Sequence, residues 1–149
     1  MTKPLPTKSL VLYADDDLDD HELIRDAFSR YEHVIELVSF RDGQQLLDFL
    51  QDLDRERKPC LVIIDINMPK LDGKQTLRAI RNMADYEDLP VVLFSTSTMP
   101  KDAEYARRYH ATFQTKPIHT GQIDPLIEKM LEHCADELKN RLDQNRKRG

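Results

Sequence analysis

Short apolar runs alternate along this chain with longer segments in which apolar residues recur at helical spacing. The runs are rich in valine, isoleucine and leucine and are apolar throughout, which is typical of strands buried on both faces of a parallel sheet. Predicted strands cover residues 9–14, 34–40, 61–65, 91–95 and 111–115. This pattern constrains the fold strongly, because parallel strands need a crossover connection between them.

Helical stripes occupy the segments between and after these strands. They cover residues 23–31, 46–53, 77–84, 101–109 and 123–142, of which 101–109 has a poor apolar face. Asp42 is placed to cap the second helix, and turn-forming residues over 67–73 precede the third. Strands and helices that alternate in this way form right-handed β-α-β crossovers. The sequence therefore predicts an α/β fold in which helices cover both faces of a mostly parallel, five-stranded sheet.

Glycine and cysteine spacing excludes several common sites. The four glycines are too far apart for a Walker loop or a G-x-G-x-x-G turn. Cys60 and Cys134 form no C-x-x-C motif, and we expect two small buried side chains and no zinc site or disulfide framework. The apolar runs are far shorter than a membrane span, and the N-terminal residues lack a signal-peptide core. A soluble cytoplasmic protein is therefore expected.

Acidic and basic residues are unevenly distributed. The net charge of −5 argues against nucleic acid as the main partner, and no membrane partner is expected. Residues 15–22 hold six acids, whereas the last eleven residues hold five bases and one acid. This basic tail is either the solvated end of the last helix, which the helix dipole favours, or a patch for nucleic acid or membrane.

Chemically active side chains gather where the predicted strands end. They are the three carboxylates of residues 15–17, then Asp65, Ser95 and Lys116. Each of them alone has a structural explanation, such as a helix cap, a turn hydroxyl or a surface lysine. Ligands of open α/β sheets bind outside the carboxyl ends of the strands. We therefore expect these side chains to share one rim of the sheet.

The residue types at this rim favour one chemistry. Asp15, Asp16 and Asp65 would repel one another if ionised at short distance, and a hard divalent cation such as Mg²⁺ relieves that repulsion. An aspartate carboxylate is a nucleophile toward phosphorus and forms an acyl phosphate. Lys116 and Ser95 offer a charge and a hydroxyl to the phosphoryl oxygens. A flavin phosphate would be repelled here, which disfavours a flavodoxin-like cofactor.

Four motifs in order carry a resemblance to a known family. They are L-V-L-Y-A-D-D-D-L-D-D-H-E-L-I-R-D-A-F at 10–28, L-V-I-I-D-I-N-M-P-K-L-D-G at 61–73, L-P-V-V-L-F-S-T-S at 89–97 and F-Q-T-K-P at 113–117. Together they resemble the receiver domain of two-component response regulators, including chemotaxis and phytochrome-partner regulators. The resemblance implies a doubly wound (βα)5 flavodoxin-like sandwich with strand order 2-1-3-4-5. We expect one receiver domain over 1–149, with a core over about 8–133, an extension of the last helix with a basic tail over 134–149, and no attached output domain.

The resemblance also implies a metal centre and a phosphoryl donor. Asp65 is the implied phosphoacceptor. Asp16, Asp65 and the backbone carbonyl of Asn67 are the implied direct ligands of Mg²⁺, and Asp15 is implied to hold the ion through water. A histidine kinase or a phosphotransfer protein would donate the phosphoryl group. Phosphorylation would then favour a conformer that a downstream protein binds.

The same resemblance implies a switch. Ser95 takes the position of the switch hydroxyl, and Lys116 binds the phosphoryl group. Phe113 takes the position of the switch aromatic, where many members have tyrosine, so a readout through ring burial is expected here. The bond between Lys116 and Pro117 is expected to be cis. The expected readout face lies around residues 105–113 and the last helix.

Two departures from the family pattern have consequences. His110 occupies a position where the family often has glycine, and a backbone with φ > 0 would be less relaxed there. Leu138 and Leu142 continue the apolar stripe of the last helix beyond its usual end in the family. They either pack against their own chain as an overhang or belong to a homodimer formed through the fourth and fifth helices.

Two other functions fit parts of the pattern. An aspartate-nucleophile phosphatase needs D-x-D from the nucleophile onward, whereas Asp65 is followed by Ile66 and Asn67. A receiver-shaped docking module would carry no phosphate, and the complete set of acids, hydroxyl and lysine argues against it. The sequence thus predicts a signalling protein whose only catalysis is self-phosphorylation and autodephosphorylation.

Asn67 and Ser97 occupy the two positions that set the lifetime of the phosphoryl group in this family. Both side chains are small and polar and leave a path for water, so we predict a modest rate of self-dephosphorylation. Larger apolar side chains at both positions should slow that reaction. The decay of the acyl phosphate in the double variant measures the effect, and an unchanged rate would contradict the prediction.

Overall fold

The apolar runs form five parallel strands. In the computed structural model, which describes residues 8–134, they are β1 (Ser9–Ala14), β2 (Ile35–Phe40), β3 (Leu61–Ile64), β4 (Val91–Ser95) and β5 (Thr112–Thr115). Their order in the sheet is β2-β1-β3-β4-β5, and every neighbouring pair is parallel. The predicted fold class and strand order are confirmed, with strand ends that differ by at most one residue.

Five helices connect and follow the strands: α1 (Leu18–Phe28), α2 (Gly43–Asp52), α3 (Gly73–Arg81), α4 (Pro100–Arg108) and α5 (Ile123–Leu131). Aspartates fix where the first three begin. The side chain of Asp17 accepts backbone N–H groups at the start of α1, and Asp42 does the same for α2, as predicted. Asp72 and Gln75 form a capping box at α3, which satisfies two N–H groups that the helix leaves unpaired.

The sheet separates two apolar cores. Alternate residues of each strand point to opposite faces, so Leu12 packs with α2, α3 and α4 on one face, and Val11 packs with α1 and α5 on the other. Both faces are buried, which explains why the strands are apolar throughout. None of the helices that the structure describes is long and apolar enough to cross a membrane.

A short 3₁₀ turn over Glu132–Cys134 follows α5. The predicted extension of the last helix, with Leu138, Leu142 and the basic tail, lies outside the described residues. The homodimer that those leucines suggested therefore stays a prediction.

Cys60 and Cys134 are joined by a disulfide, with their Cα atoms 5.3 Å apart. Both side chains are buried, as predicted, but the expectation that the chain holds no disulfide is wrong. The sequence did not reveal the disulfide because the two cysteines are 74 positions apart and meet only in the folded chain. The end of α5 packs beside the start of β3, and this packing brings the sulfur atoms together.

Two backbone expectations have different outcomes. His110 has φ = 56°, so the position where the resemblance led us to expect glycine adopts the left-handed region that disfavours side chains. The expectation of a cis bond before Pro117 is wrong, because the part of the chain that the structure describes contains no cis peptide bond. The trans form of an X–Pro bond is favoured by about 0.5–1 kcal/mol, and a sequence motif alone does not decide the isomer.

We predict that Cys134→Ser lowers the free energy of unfolding by about 2–4 kcal/mol, because the disulfide closes a long loop and restricts the unfolded chain. Urea unfolding without reductant measures this change. Adding a thiol reductant should destabilise the wild-type protein to a similar degree and leave the variant unaffected. The prediction fails if alkylation of the unfolded, unreduced protein labels both cysteines.

Candidate functional site

Backbone hydrogen bonds bring the carboxyl ends of four strands to one rim of the sheet. The N–H of Asp65 donates to the carbonyl of Ala14 at 2.9 Å, which places Asp65 beside Asp15. The N–H of Lys116 donates to the carbonyl of Ser95 at 2.8 Å. The predicted convergence of these side chains thus follows from the register of parallel strands.

Three carboxylates lie together at this rim. Asp15, Asp16 and Asp65 each offer one oxygen atom, and these oxygens lie within 4.8 Å of one another. Asp15 and Asp65 are buried, whereas Asp16 is exposed. Burial raises the pKa of Asp65 to about 7, and the negative charge of Asp15 adds to the rise, while Lys116 opposes it. Additional positive charge would therefore favour the ionised form of Asp65.

The ammonium group of Lys116 lies among these acids, and its side chain is only 10% exposed. Its Nζ lies 2.8 Å from Asp15 Oδ2, 2.7 Å from Asp20 Oδ2 and 3.5 Å from Asp65 Oδ1. Burial lowers the pKa of Lys116, but the hydrogen bonds to Asp15 and Asp20 outweigh that effect and hold the pKa above its usual range. Lys116 is therefore a fixed positive charge beside Asp65.

Neighbouring groups hold Asp15 in place. The hydroxyl of Tyr13 donates to Asp15 Oδ2 at 2.6 Å, and the backbone N–H of Asp17 donates to Oδ1 at 3.0 Å. The ring of His21 lies edge-on to that of Tyr13 and bonds to the backbone carbonyl of Asp15 at 2.5 Å. Burial and the adjacent Asp15 raise the pKa of Tyr13, so this hydroxyl remains a proton donor to the carboxylate.

Ser95 and Ser97 link the rim to α4. Ser95 is buried, and its hydroxyl oxygen accepts the N–H of Ser97 at 3.2 Å. The hydroxyl of Ser97 donates to Asp102 in the first turn of α4, and Asp102 also pairs with Lys74 of α3. The hydroxyl of Tyr105 on α4 donates to the carbonyl of Lys74 at 2.9 Å. The loop after β4 is thus tied to both helices.

Gly73 allows the start of α3 to approach the loop that carries Asp65. A Cβ atom at position 73 would lie 2.3 Å from the carbonyl oxygen of Asp65 and 2.7 Å from the Cα of Ile66. No side chain fits that space, so glycine is required for this close packing. The loop exposes Asn67 at the surface beside the rim.

The predicted site residues fall into two groups. Asp15, Asp16, Asp65 and Lys116 meet directly. The others surround them: Ser95 is buried at the end of β4, Asn67 and Ser97 lie on the flanking loops, and Phe113 is half-buried against the core under α4.

Sequence reasoning missed four residues of the site: Tyr13, Asp20, His21 and Asp102. Two of them carried a readable signal. Tyr13 precedes Asp15 by two positions on a strand, so the two side chains share a face. Asp20 lies in the first turn of α1, directly after the strand end that carries Asp15 and Asp16, so it is close to the same rim of the sheet.

A comparison with known families decides the identity of this fold and site. The response regulator receiver domain matches residues 11–128. The chain belongs to this family. This match also confirms the expected role in two-component signalling, which is that of a receiver that takes a phosphoryl group.

Individual relatives agree with the assignment of a receiver domain. The response regulator Rcp1 of Synechocystis sp. is 29% identical over 104 residues, which cover 68% of this chain and 71% of that protein. The crystal structure of the phosphorylated cyanobacterial phytochrome response regulator RcpA is 26% identical, with a TM-score of 0.77, and the match covers 84% of this chain and 92% of that one. The Mn²⁺-bound form of Rcp1 is 26% identical, with a TM-score of 0.73 and coverage of 83% and 91%.

Asp102→Asn should lower the free energy of unfolding of this receiver domain by about 1–3 kcal/mol, because Asp102 is buried and accepts hydrogen bonds from Lys74 and Ser97. These bonds lower the pKa of Asp102. The contribution of Asp102 to the free energy of unfolding is therefore complete above the carboxyl pKa of the unfolded chain, about 4. It is lost as the pH falls through the pKa of Asp102 in the folded protein. Urea unfolding at neutral and acidic pH measures both effects.

Glu104→Gln is the matched control for this prediction. Glu104 lies on the same helix but pairs with Arg107 at the exposed surface, so its substitution should change stability by less than about 0.5 kcal/mol. Equal effects of the two substitutions would contradict a specific role of Asp102.

Proposed function

We propose that this chain accepts a phosphoryl group on Asp65 in a two-component phosphorelay. The observation that carries the proposal is the position of Asp65, a buried carboxylate with Lys116 Nζ 3.5 Å from its Oδ1 and with Asp15 and Asp16 beside it. A structural carboxylate at a strand end would not need three further charged groups around it. This arrangement suits a reaction in which negative charge enters and leaves the site.

In the proposed reaction, a carboxylate oxygen of Asp65 attacks the phosphorus atom of a phosphohistidine. The new O–P bond forms as the P–N bond of the donor breaks, and the electron pair of that bond stays on the histidine nitrogen. Lys116 donates a charge-assisted hydrogen bond to one phosphoryl oxygen, and the Ser95 hydroxyl is available to another. The product is an acyl phosphate, which water later hydrolyses.

The donor set fits a divalent cation. Asp15, Asp16 and Asp65 bring three carboxylates into a space that one ammonium group shares, and hard cations such as Mg²⁺ bind carboxylate and carbonyl oxygens. We propose that Asp16, Asp65 and the carbonyl of Asn67 bind Mg²⁺ directly and that Asp15 holds it through water. When bound, the ion screens the repulsion between Asp65 and the incoming phosphoryl group. A related structure, the Mn²⁺-bound form of Rcp1, supports the proposal that this receiver domain binds a divalent cation.

The readout is proposed to run from Ser95 to the surface of α4 and β5. Phosphorylation adds charge and acceptor oxygens at Asp65, and Ser95 would turn toward them. The loop after Ser95 is tied to α4 through Ser97 and Asp102, so a shift of the loop changes what α4 and Phe113 present to a downstream protein. Phe113 lacks a hydroxyl, so burial of its ring carries this part of the switch.

The partners follow from the same role. A receiver domain takes its phosphoryl group from a histidine kinase or a phosphotransfer protein, and we propose a cytoplasmic location with a downstream protein as the target. We further propose that the domain acts as a signalling receiver whose only catalysis is its own phosphorylation and dephosphorylation. A homodimer through the fourth and fifth helices remains a prediction, since Leu138 and Leu142 lie outside the described residues.

Incubation with Mg²⁺ and phosphoramidate, followed by intact-mass measurement, tests the proposal. We expect a labile adduct with the mass of one phosphoryl group on the wild-type protein and none on Asp65→Asn. Removal of Mg²⁺ with a chelator should slow labelling strongly. Asp19→Asn is the matched control, because it removes a nearby exposed carboxylate and should leave labelling intact.

Each outcome of this experiment points to one function. A labile adduct on Asp65 supports the phosphoacceptor. Turnover of phosphoramidate without an adduct would indicate a phosphatase. No reaction, or labelling that persists in Asp65→Asn, would overturn the proposal and leave a docking module or another acceptor.

A further inference from the structure

Asp20 contacts the lysine of the site but does not belong to the carboxylate cluster. Its Oδ2 atom lies 2.7 Å from Lys116 Nζ, the shortest of that lysine's three ion pairs. The oxygens that converge as a candidate cation site come from Asp15, Asp16 and Asp65. The described contact of the Asp20 carboxylate is therefore with Lys116, and it needs an explanation of its own.

The start of α1 fixes Asp20 in position. The carboxylate of Asp17 caps the helix and accepts the backbone N–H of Asp20 at 3.3 Å. The side chain of Asp20 is 28% exposed, whereas that of Lys116 is 10% exposed. Asp20 thus reaches from the capped start of α1 to an ammonium group that is nearly buried.

Lys116 has one N–H donor left for the reaction. An ammonium group has three N–H donors. Two of them meet Asp15 and Asp20 at 2.8 and 2.7 Å, so the third is free for Asp65, whose Oδ1 lies at 3.5 Å. Asp20 therefore does not compete with Asp65 for the ammonium group.

We infer that Asp20 is a positioning residue, which together with Asp15 anchors Lys116 so that its third N–H points to Asp65 and to the phosphoryl group formed there. The inference rests on the proposed function of Asp65. One anchor would leave the ammonium group free to rotate on its long side chain. Two anchors restrict the side chain when the chain folds, so that this loss of conformational entropy does not add to the activation free energy of phosphorylation.

The opposite role for Asp20 predicts the opposite result. If Asp20 drew Lys116 away from Asp65, removal of the carboxylate would free the ammonium group and speed up phosphorylation. If Asp20 acted only through its negative charge, removing that charge would reduce the repulsion of the anionic donor and speed up labelling. Removing any other nearby carboxylate would then have the same effect. The experiment therefore compares substitutions that separate hydrogen bonding, charge and geometry.

Phosphorylation rates from intact-mass time courses, with phosphoramidate at saturating Mg²⁺, test the inference. Asp20→Ala loses the anchor and should slow labelling by about 10-fold, because a small displacement of a catalytic group is costly. Asp20→Asn keeps an oxygen acceptor without the charge and should stay within about 3-fold of the wild-type rate. Asp19→Ala removes a carboxylate from the adjacent, exposed position and should leave the rate unchanged.

Two further variants make the test independent of one substitution. Asp20→Glu keeps the charge but displaces the anchoring oxygens, so it should slow labelling although no charge is lost. In a Lys116→Ala background, Asp20→Ala should have no further effect, because Asp20 acts through Lys116. An additional loss in that background would contradict the inference.

The outcomes separate this inference from the proposed function. If the wild-type protein is labelled on Asp65 and all variants at position 20 react at the wild-type rate or faster, Asp20 has no positioning role and the phosphoacceptor stands. If the wild-type protein is not labelled at all, both fail. Equal slowing by Asp19→Ala and Asp20→Ala would indicate a general effect of charge and would also overturn the inference.

Discussion

The hydrogen bond between Lys116 and Asp15 joins residues 101 positions apart in the sequence, and the buried acidic rim depends on it. Asp15 has no exposed surface, and a carboxylate in such a place is costly unless it is paired and hydrogen-bonded. Two strands, β3 and β4, lie between β1 and β5 in the sheet. Lys116 therefore reaches across the ends of both strands to supply its charge, and Asp65 lies along its path.

The two sides of the rim serve different purposes. On the side of α1, Asp15 and Asp20 hold Lys116, and the contacts there fix a charge in one place. On the side of α4, the contacts of Ser97 and Asp102 join the loop after β4 to two helices through hydrogen bonds and an ion pair. Asp65 thus lies between the charged contacts of Lys116 on one side and a loop that is connected to α4 on the other. This arrangement is consistent with the proposed function, in which Lys116 holds a phosphoryl group on Asp65 and the loop after β4 transmits its presence to α4.

Close backbone packing makes this geometry possible. The apolar strands bury both faces of the sheet, so the strand ends cannot shift without disturbing two cores. Gly73 lets α3 approach the carbonyl group of Asp65, and His110 turns the chain from α4 into β5 with a left-handed backbone. The disulfide between Cys60 and Cys134 fastens the end of α5 to the start of β3, on the face opposite α4.

Much of this receiver domain follows from its sequence, because the signals are local. Continuous apolar runs, helical stripes and the carboxylates at strand ends are each contained in a short segment, and they predicted the parallel α/β fold and the meeting of Asp15, Asp65 and Lys116. The strand order came from the resemblance to receiver domains. The disulfide and the contact between Asp20 and Lys116 were decided by tertiary structure, and the motif before Pro117 did not determine that its peptide bond is trans. Each depends on the distance between segments far apart in sequence, or on an isomer whose alternatives differ little in free energy. Periodicity predicts which face of an element is buried, whereas only the packed chain determines which side chains meet across it.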